Sequence, residues 1–389
     1  MESRKTYVID FYDKFECIGG SCPYTCCKGW QIAIDDETYS RYCNMAFPKN
    51  IIYRLLSGKK DGIRSIRKVN STCPFYTTEG LCRFHKTGQE VMMPKVCRQY
   101  PRTSICFGQY NEVTLELSCI RAAELFVENI GRHQFVESKT SVEENWTIGN
   151  DSPRFLELLR CDREKILNYL WQQDEEQSTL AQKIYQIYMY VYVENQYISR
   201  NDMDSALALH IPLLQEEQAK YNIPVISSVA GHFPFYPVWF LNHIIYDKFS
   251  SSALKKKNRY LYDLVKGYEV LFGDLSEKEA DAFFEKTFDE MCQKQPEMEL
   301  FFCSYFSYLI EQMYCKAYED YYVLGQGLLA IIDLQFMMQF MLVHYMRDGR
   351  LEPVDISEIL ANTERAIRHN LILNDDILYK IRHSFFDIR

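Results

Sequence analysis

The sequence predicts a mainly α fold, with a small cysteine-rich, metal- or cluster-binding N-terminal module and a larger all-α C-terminal helical domain. Three observations predict it. Cysteine is crowded at one end: ten of the 14 lie in residues 1–119, and Cys161, Cys292, Cys303 and Cys315 are scattered beyond. Charge is uneven as well, with 17 Lys and Arg against 12 Asp and Glu in residues 1–120 and 27 against 41 in the remainder. After residue 153, apolar residues recur at helical spacing almost throughout. The expected organisation is a cysteine-rich module over 1–130, a linker over 131–153 and a helical domain over 154–389.

In the first module, "SCPYTCC" places Ser21 or Cys22 at an N-cap and Pro23 at the first helical position, which predicts a short helix. "DDETYSRYC" (35–43) reads as a helix start with acids in its first turn. "STCPFYTTEGLCRFH" has a Gly turn between two cysteines and predicts a small loop or hairpin. "LSCIRAAELFVENIG" (117–131) predicts a helix ended by Gly131. The stretch 132–155 is polar and weakly periodic, and "GNDSP" breaks it.

Beyond the break, Ser152 and Pro153 open a helix, and Ser276 with Glu279 forms a capping box for another. "TLAQKIYQIYMYVYVENQYI" and the stretch 323–346 are apolar nearly all round. The second is interrupted by Gln326, Asp333, Gln335 and Gln339, so it reads as a helix buried among helices rather than a bilayer span. The N-terminal residues carry no apolar run after their charges, which argues against a secretory signal. A cytoplasmic protein without a membrane segment is expected. No G-x-G-x-x-G or other phosphate loop appears. The basic run "LKKKNR" (254–259) is too short to argue for nucleic acid and reads as a solvated face.

The chemistry lies in the sulfur. A reduced cytoplasmic chain disfavours disulfides, and adjacent Cys26 and Cys27 fit a compact bridge network poorly. Inert burial suits Cys161, Cys292, Cys303 and Cys315, but not ten cysteines flanked by Gly, Pro and Ser. Metal or cluster ligation remains. On a helix opened by Pro23, Cys22 and Cys26 would face one centre and Cys27 another direction. The chain has no C-x2-C pair of the structural zinc type and no C-x3-C-x2-C series, while an all-thiolate [4Fe–4S] cluster tolerates irregular spacing. Spacing leaves both iron–sulfur and zinc open.

The series C-x4-C-x3-C-C-x-G-W (Cys17, Cys22, Cys26, Cys27, Gly29, Trp30), followed by "CPFY", "LC", "CRQYPR" and "TLELSC", resembles the flagellin lysine-N-methylase family over about residues 10–125. The resemblance implies methyl transfer from S-adenosylmethionine to lysine side chains of flagellin, with a [4Fe–4S] cluster on the cysteine module. It implies ligation by Cys17, Cys22, Cys26, Cys27, Cys73, Cys82, Cys97 and Cys119. Eight thiols exceed the four that one cubane needs, so some are structural or a second metal is bound. Cys43 and Cys106 fall outside the pattern. A wider group with a similar module is described only as zinc- or iron-chelating, so a non-enzymatic metal-chelating interaction protein is the alternative. Arg98, Tyr100 and Arg102 are the candidate cofactor-binding residues: guanidinium groups beside an anionic cluster stabilise it or hold a substrate carboxylate. Their plain alternative is a surface turn with ordinary salt bridges. The aromatic loop "GHFPFYPVWF" (231–240) reads as core packing before it reads as an adenosine or lysine pocket, and the Tyr185–Tyr197 run reads as core.

Overall fold

The computed structural model describes residues 4–28, 31–44, 54–58, 62–70, 72–139, 146–149, 152–173, 178–221 and 259–367. The loop 231–240 and nearly all of the basic run 254–259 lie outside them.

The fold is mainly α, and several helix starts stand where capping chemistry puts them. For clarity, strands are labelled β1 (Lys5–Ile9), β2 (Ala33–Ile34), β3 (Arg64–Ser65), β4 (Arg102–Cys106), β5 (Tyr110–Leu115), β6 (Phe135–Ser138) and β7 (Trp146–Thr147). The N-terminal helices are α1 (Asp36–Asn44), α2 (Arg83–Lys86), α3 (Lys95–Gln99) and α4 (Ile120–Glu128). The later ones are α5 (Pro153–Trp171), α6 (Leu180–Ser199), α7 (Met203–Ala208), α8 (Gln215–Lys220), α9 (Arg259–Phe272), α10 (Glu277–Lys294), α11 (Glu297–Met313), α12 (Val323–Asp348) and α13 (Pro353–Ile367).

Ser152 caps α5 by accepting the Phe155 N–H, with Pro153 behind it. Capping boxes open α6 (Thr179 with Gln182) and α10 (Ser276 with Glu279). Helix α12 is long and apolar enough to cross a bilayer, yet its whole apolar window is buried inside the protein. It ends at Gly349, whose φ of 75° is the left-handed cap that a Cβ would strain. Helix α4 stops at Glu128, short of Gly131, because Asn129 already turns its side chain back to the Leu125 carbonyl at 2.7 Å.

The sheet was not legible as such. Five strands run in the order β6-β1-β5-β4-β7; β1 and β5 are parallel, as are β4 and β7, while β6 and β4 run antiparallel to β1 and β5. Val8 stands opposite Val113, and Ile105 opposite Glu112. Every residue of β5 is buried. Successive side chains alternate across it, and the Tyr110, Glu112 and Thr114 side meets the helices. Arg160 of α5 lies 4.7 Å from the Tyr110 ring, Arg163 pairs with Glu112, and Gln312 of α11 reaches Thr114 at 3.2 Å.

Two strands come from the stretch expected to be a linker. Within 131–153, β6 pairs with β1 and β7 with β4. The polarity of that stretch is that of an edge strand: the middle two residues of β6 are exposed. Gly131 and His133 tie it to α11 through the Ser304 hydroxyl, at 3.1 and 3.4 Å. A single apolar core therefore extends in sequence from Val8 to Ala361, joining the sheet to the helices. Its aromatic centre packs Phe11, Phe126, His133 and Tyr308 with ring separations of 4.9 to 6.3 Å.

Residues between β1 and β4 form a lobe with its own small core: Ile32, Ile34, Tyr42, Leu56, Ile66, Cys73 and Phe84. Asp35 organises it. Its carboxylate caps α1 at the Thr38 N–H and also accepts the Lys95 N–H at the start of α3, both at 2.8 Å. Partial burial works against the Asp35 charge, but these donors more than offset it and hold its pKa below the usual value.

The Tyr308 hydroxyl sits on the β5 backbone, accepting from Leu115 N at 3.1 Å and donating to Leu115 O. Tyr308→Phe removes the hydroxyl from the buried Leu115 N–H and should cost about 1–3 kcal/mol in urea unfolding, with the slope unchanged.

Candidate metal centre

The segment expected to be a helix after Pro23 is a series of turns. Cys22 is extended (φ −71°, ψ 117°), as the residue before a proline prefers, and the Thr25 hydroxyl takes the Cys27 N–H at 3.2 Å. The turns divide the thiols. Cys27 leaves toward the small lobe core, whereas Cys22 packs on the main core.

Cys27, Cys73, Cys82 and Cys97 form one set. Cys73 and the partly buried Cys27, Cys82 and Cys97 share the lobe core with Phe75, Phe84 and Tyr42. The Cys73 N–H donates to the Cys27 carbonyl at 3.0 Å. The expected small loop between Cys73 and Cys82 forms, closed by a bridge between Tyr76 and Cys82 and turned by Gly80 at φ 81°. Gly80 also lies so close to the Gly19–Ser21 turn that a Cβ on it would meet the Gly20 carbonyl oxygen at 3.1 Å. That approach brings the two cysteine loops together.

Backbone donors point at these sulfurs. The Phe75 N–H serves Cys73, and the Phe84 and His85 N–H groups at the start of α2 serve Cys82. Burial nevertheless raises Cys73, Cys82 and Cys97, Cys73 to about 11, with the facing thiols adding to the effect at Cys97. Cys27 is the exception. The Cys26 S–H bond to it, helped by Thr25, Lys68 and Lys28, outweighs burial and lowers it to about 7. The Lys68 ammonium is buried and has no hydrogen-bond partner among the described residues, while Cys73, Cys27 and Cys97 face it.

Cys17, Cys22 and Cys119 form a second set, at the seam with the helices, and Cys26 faces both sets through Cys17 on one side and Cys27 and Cys97 on the other. Cys119 is the N-cap of α4 and receives the Arg121 and Ala122 N–H groups at its sulfur; burial still holds it up at about 11. Arg365 of α13 clamps this seam, donating to the Tyr24 and Ser118 carbonyls at 3.1 and 2.9 Å with its charge facing Cys22.

The donor chemistry fits a thiolate-bound metal or cluster. Soft sulfur ligands come in two sets, N–H groups aim at the sulfurs, and an orphaned ammonium stands ready to balance an anionic centre. Among the described residues, no three His, Cys, Asp or Glu side chains are gathered closely enough to hold an ion, so ligation requires the thiols to draw inward.

The three expected cofactor residues are not gathered into one pocket. Arg98 turns back to the Met93 carbonyl at 2.7 Å, and the Tyr100 hydroxyl pairs with Ser118 at 3.0 Å beside Cys119. Arg102 stacks on Phe15 and Tyr12 at 5.0 and 5.7 Å. Cys43 is exposed on α1 and Cys106 is buried in β4, apart from both sets as expected. Cys161, expected to be buried, is exposed on α5. Lys68 and Arg365 were missed. A lone lysine before "VNSTC" and an arginine near the far end of the chain carry no local signal of where folding places them.

A thiol-rich lobe hung on a mixed sheet and a helical core is thus the class of protein defined here. The chain is 28% identical over 121 residues to the flagellar biosynthetic protein FliU of Salmonella muenchen, covering 28% of this chain and 69% of that one. It is equally similar, at 28% over 121 residues, to proteins named lysine-N-methylase from Salmonella typhimurium and Salmonella choleraesuis, and here the match spans 29% of their length. Over that segment the chain is similar to proteins named lysine-N-methylase, and it spans under a third of their length. No family model matches the chain, and no solved structure matches it.

After anaerobic loading with iron and sulfide, Cys73→Ser and Cys97→Ser should each retain less than about half the wild-type iron by colorimetric assay, since each removes one of four ligands. Cys161→Ser and Cys303→Ser should retain it all. Lys68→Ala should keep the iron but release it faster to a chelator, because the buried countercharge is gone.

Proposed function

We propose that the protein transfers methyl groups from S-adenosylmethionine to lysine side chains of flagellin in the bacterial cytoplasm, before the flagellum is assembled, and carries a [4Fe–4S] cluster on Cys27, Cys73, Cys82 and Cys97. The observation that carries this reading is the similarity to proteins named lysine-N-methylase, in a chain that brings four cysteines to one small core. Flagellin is the protein partner; neither nucleic acid nor a membrane has a part in it.

The sulfonium methyl is already electrophilic. The lysine nitrogen supplies an electron pair to form the N–CH3 bond, the S–CH3 bond breaks with its pair going to sulfur, and one proton must leave nitrogen. The protein's task is to align the two groups, desolvate the amine and take the proton. When bound, the cluster cross-links the loops that carry its four thiols; zinc in the same set would do the same mechanically.

The second reading, a zinc- or iron-chelating interaction protein without catalysis, is favoured by the shortness of the segment shared with the methylases. Incubation of the metal-loaded protein with methyl-labelled S-adenosylmethionine and monomeric flagellin separates the two. Label on flagellin lysines, mapped by mass spectrometry and absent without the protein, is the expected outcome. Unlabelled flagellin in the presence of a fully loaded sample would favour the chelating module.

A further inference from the structure

Where β5 and the chain before β6 meet α5 and α11, a cavity of about 150 Å³ opens beside a buried ion group. The Arg163 guanidinium holds Glu112 through two bonds of 2.8 and 2.7 Å and meets Glu311 at 3.2 Å. These side chains are 5%, 7% and 1% exposed. Two carboxylates therefore share one buried cation, and the group either holds an excess negative charge or takes up a proton. Burial raises Glu311 to about 8, against the pull of Arg163 and with Glu112 adding to the rise. The Glu311 oxygen that faces Arg163, Oε2, is held by the 3.2 Å ionic contact to Nε without a well-formed hydrogen bond.

Apolar side chains of the same volume would pack this position at no loss of stability, so a buried triad kept beside a cavity marks a site. The cavity walls supply the rest. Tyr7 and Phe135 give it aromatic sides. At the rim Arg132 is already paired with Glu164 at 3.3 Å, and Arg160 lies over the Tyr110 ring. Two aromatic walls in an otherwise polar lining, an acidic inner end, and rim arginines already engaged by Glu164 and by the Tyr110 ring suit a short alkyl chain that ends in a primary amine.

We propose that this cavity is a lysine pocket, taking a primary alkylammonium group with the Glu311 carboxylate at its inner end accepting one proton. The identity of the substrate rests on the lysine-methylation reading; the amine site does not. The transfer balances without a further reactant: the N–H bond breaks with its electron pair left on nitrogen, an O–H bond forms on Glu311, and the proton passes later to water. Glu311 is a closer match to an alkylammonium than an ordinary carboxylate is, so the transfer is less uphill. The groups facing it are Arg163 and Glu164 of α5, Glu112 of β5, Arg132 ahead of β6 and Cys315 just beyond α11.

The test is calorimetric titration of the full-length protein with n-butylamine, and with butyrate as the anionic counterpart, from pH 6 to 9, alongside labelled methylation of flagellin. Butylamine should bind, gaining about tenfold in affinity per pH unit at the acid end as Glu311 ionises. Glu311→Gln should weaken it at least tenfold and flatten that slope. Gln134→Trp, which fills the mouth from an exposed position without touching the triad, should block it with circular dichroism unchanged. Binding of butyrate in place of butylamine, no butylamine binding to the wild type, or equal butylamine binding by all three proteins would overturn the proposal. Amine binding without methylation by the wild type leaves the pocket standing and removes the methylase reading. Methylation that both variants leave intact does the reverse.

Discussion

Sulfur is the constraint on which the N-terminal half depends. The lobe between β1 and β4 spans a length of chain that ordinarily supports a domain core, yet its buried cluster among the described residues is a handful of side chains around Phe84 and Cys73. A core that small contributes little against the entropy of ordering the loops around it. On the proposed ligation, four thiols from separate loops drawn to one centre would supply the missing cross-links, because a ligand set absent from the unfolded chain turns binding energy into folding energy. The buried Lys68 ammonium makes sense in the same terms, since it is costly alone and favourable beside an anionic centre.

The rest of the molecule needs no such help. The sheet and helices share one core, and polar links such as Tyr308 on the β5 backbone and Ser304 on the chain before β6 fix their register. Arg365 reaches from α13 to the carbonyl of Tyr24 within the lobe and to that of Ser118 ahead of α4, and Cys22 and Cys119 flank that clamp. A change of ligation at the thiols would thus be felt at α13, and so at the helical frame.

The sequence revealed what local chemistry decides. Ser152 with Pro153, the Ser276–Glu279 box and the interrupted apolar run of α12 announce helices because caps and periodicity are written within a few residues. The crowded cysteines announced a thiol chemistry for the same reason. Strand β5 stayed hidden because its alternation is masked: Glu112 and Thr114 look solvent-facing, and only folding brings Arg163 and Gln312 to cover them. The strands of 131–153 looked like a connector because edge strands are polar. Part of the division of the thiols was legible, since Cys27 was expected to point away from Cys22; that Cys26 would bridge to Cys27 across a series of turns was not. Lys68 and Arg365 become functional only through distance in sequence closed by the fold, which no spacing rule reads.

X-ray absorption at the iron and zinc edges of anaerobically purified protein tests the thiolate-cluster claim most directly. An iron edge with sulfur neighbours at about 2.3 Å and a second shell of iron, lost together on Cys97→Ser, is the predicted result. A zinc edge with about four sulfur neighbours and no metal–metal shell, unaffected by that substitution, would contradict it.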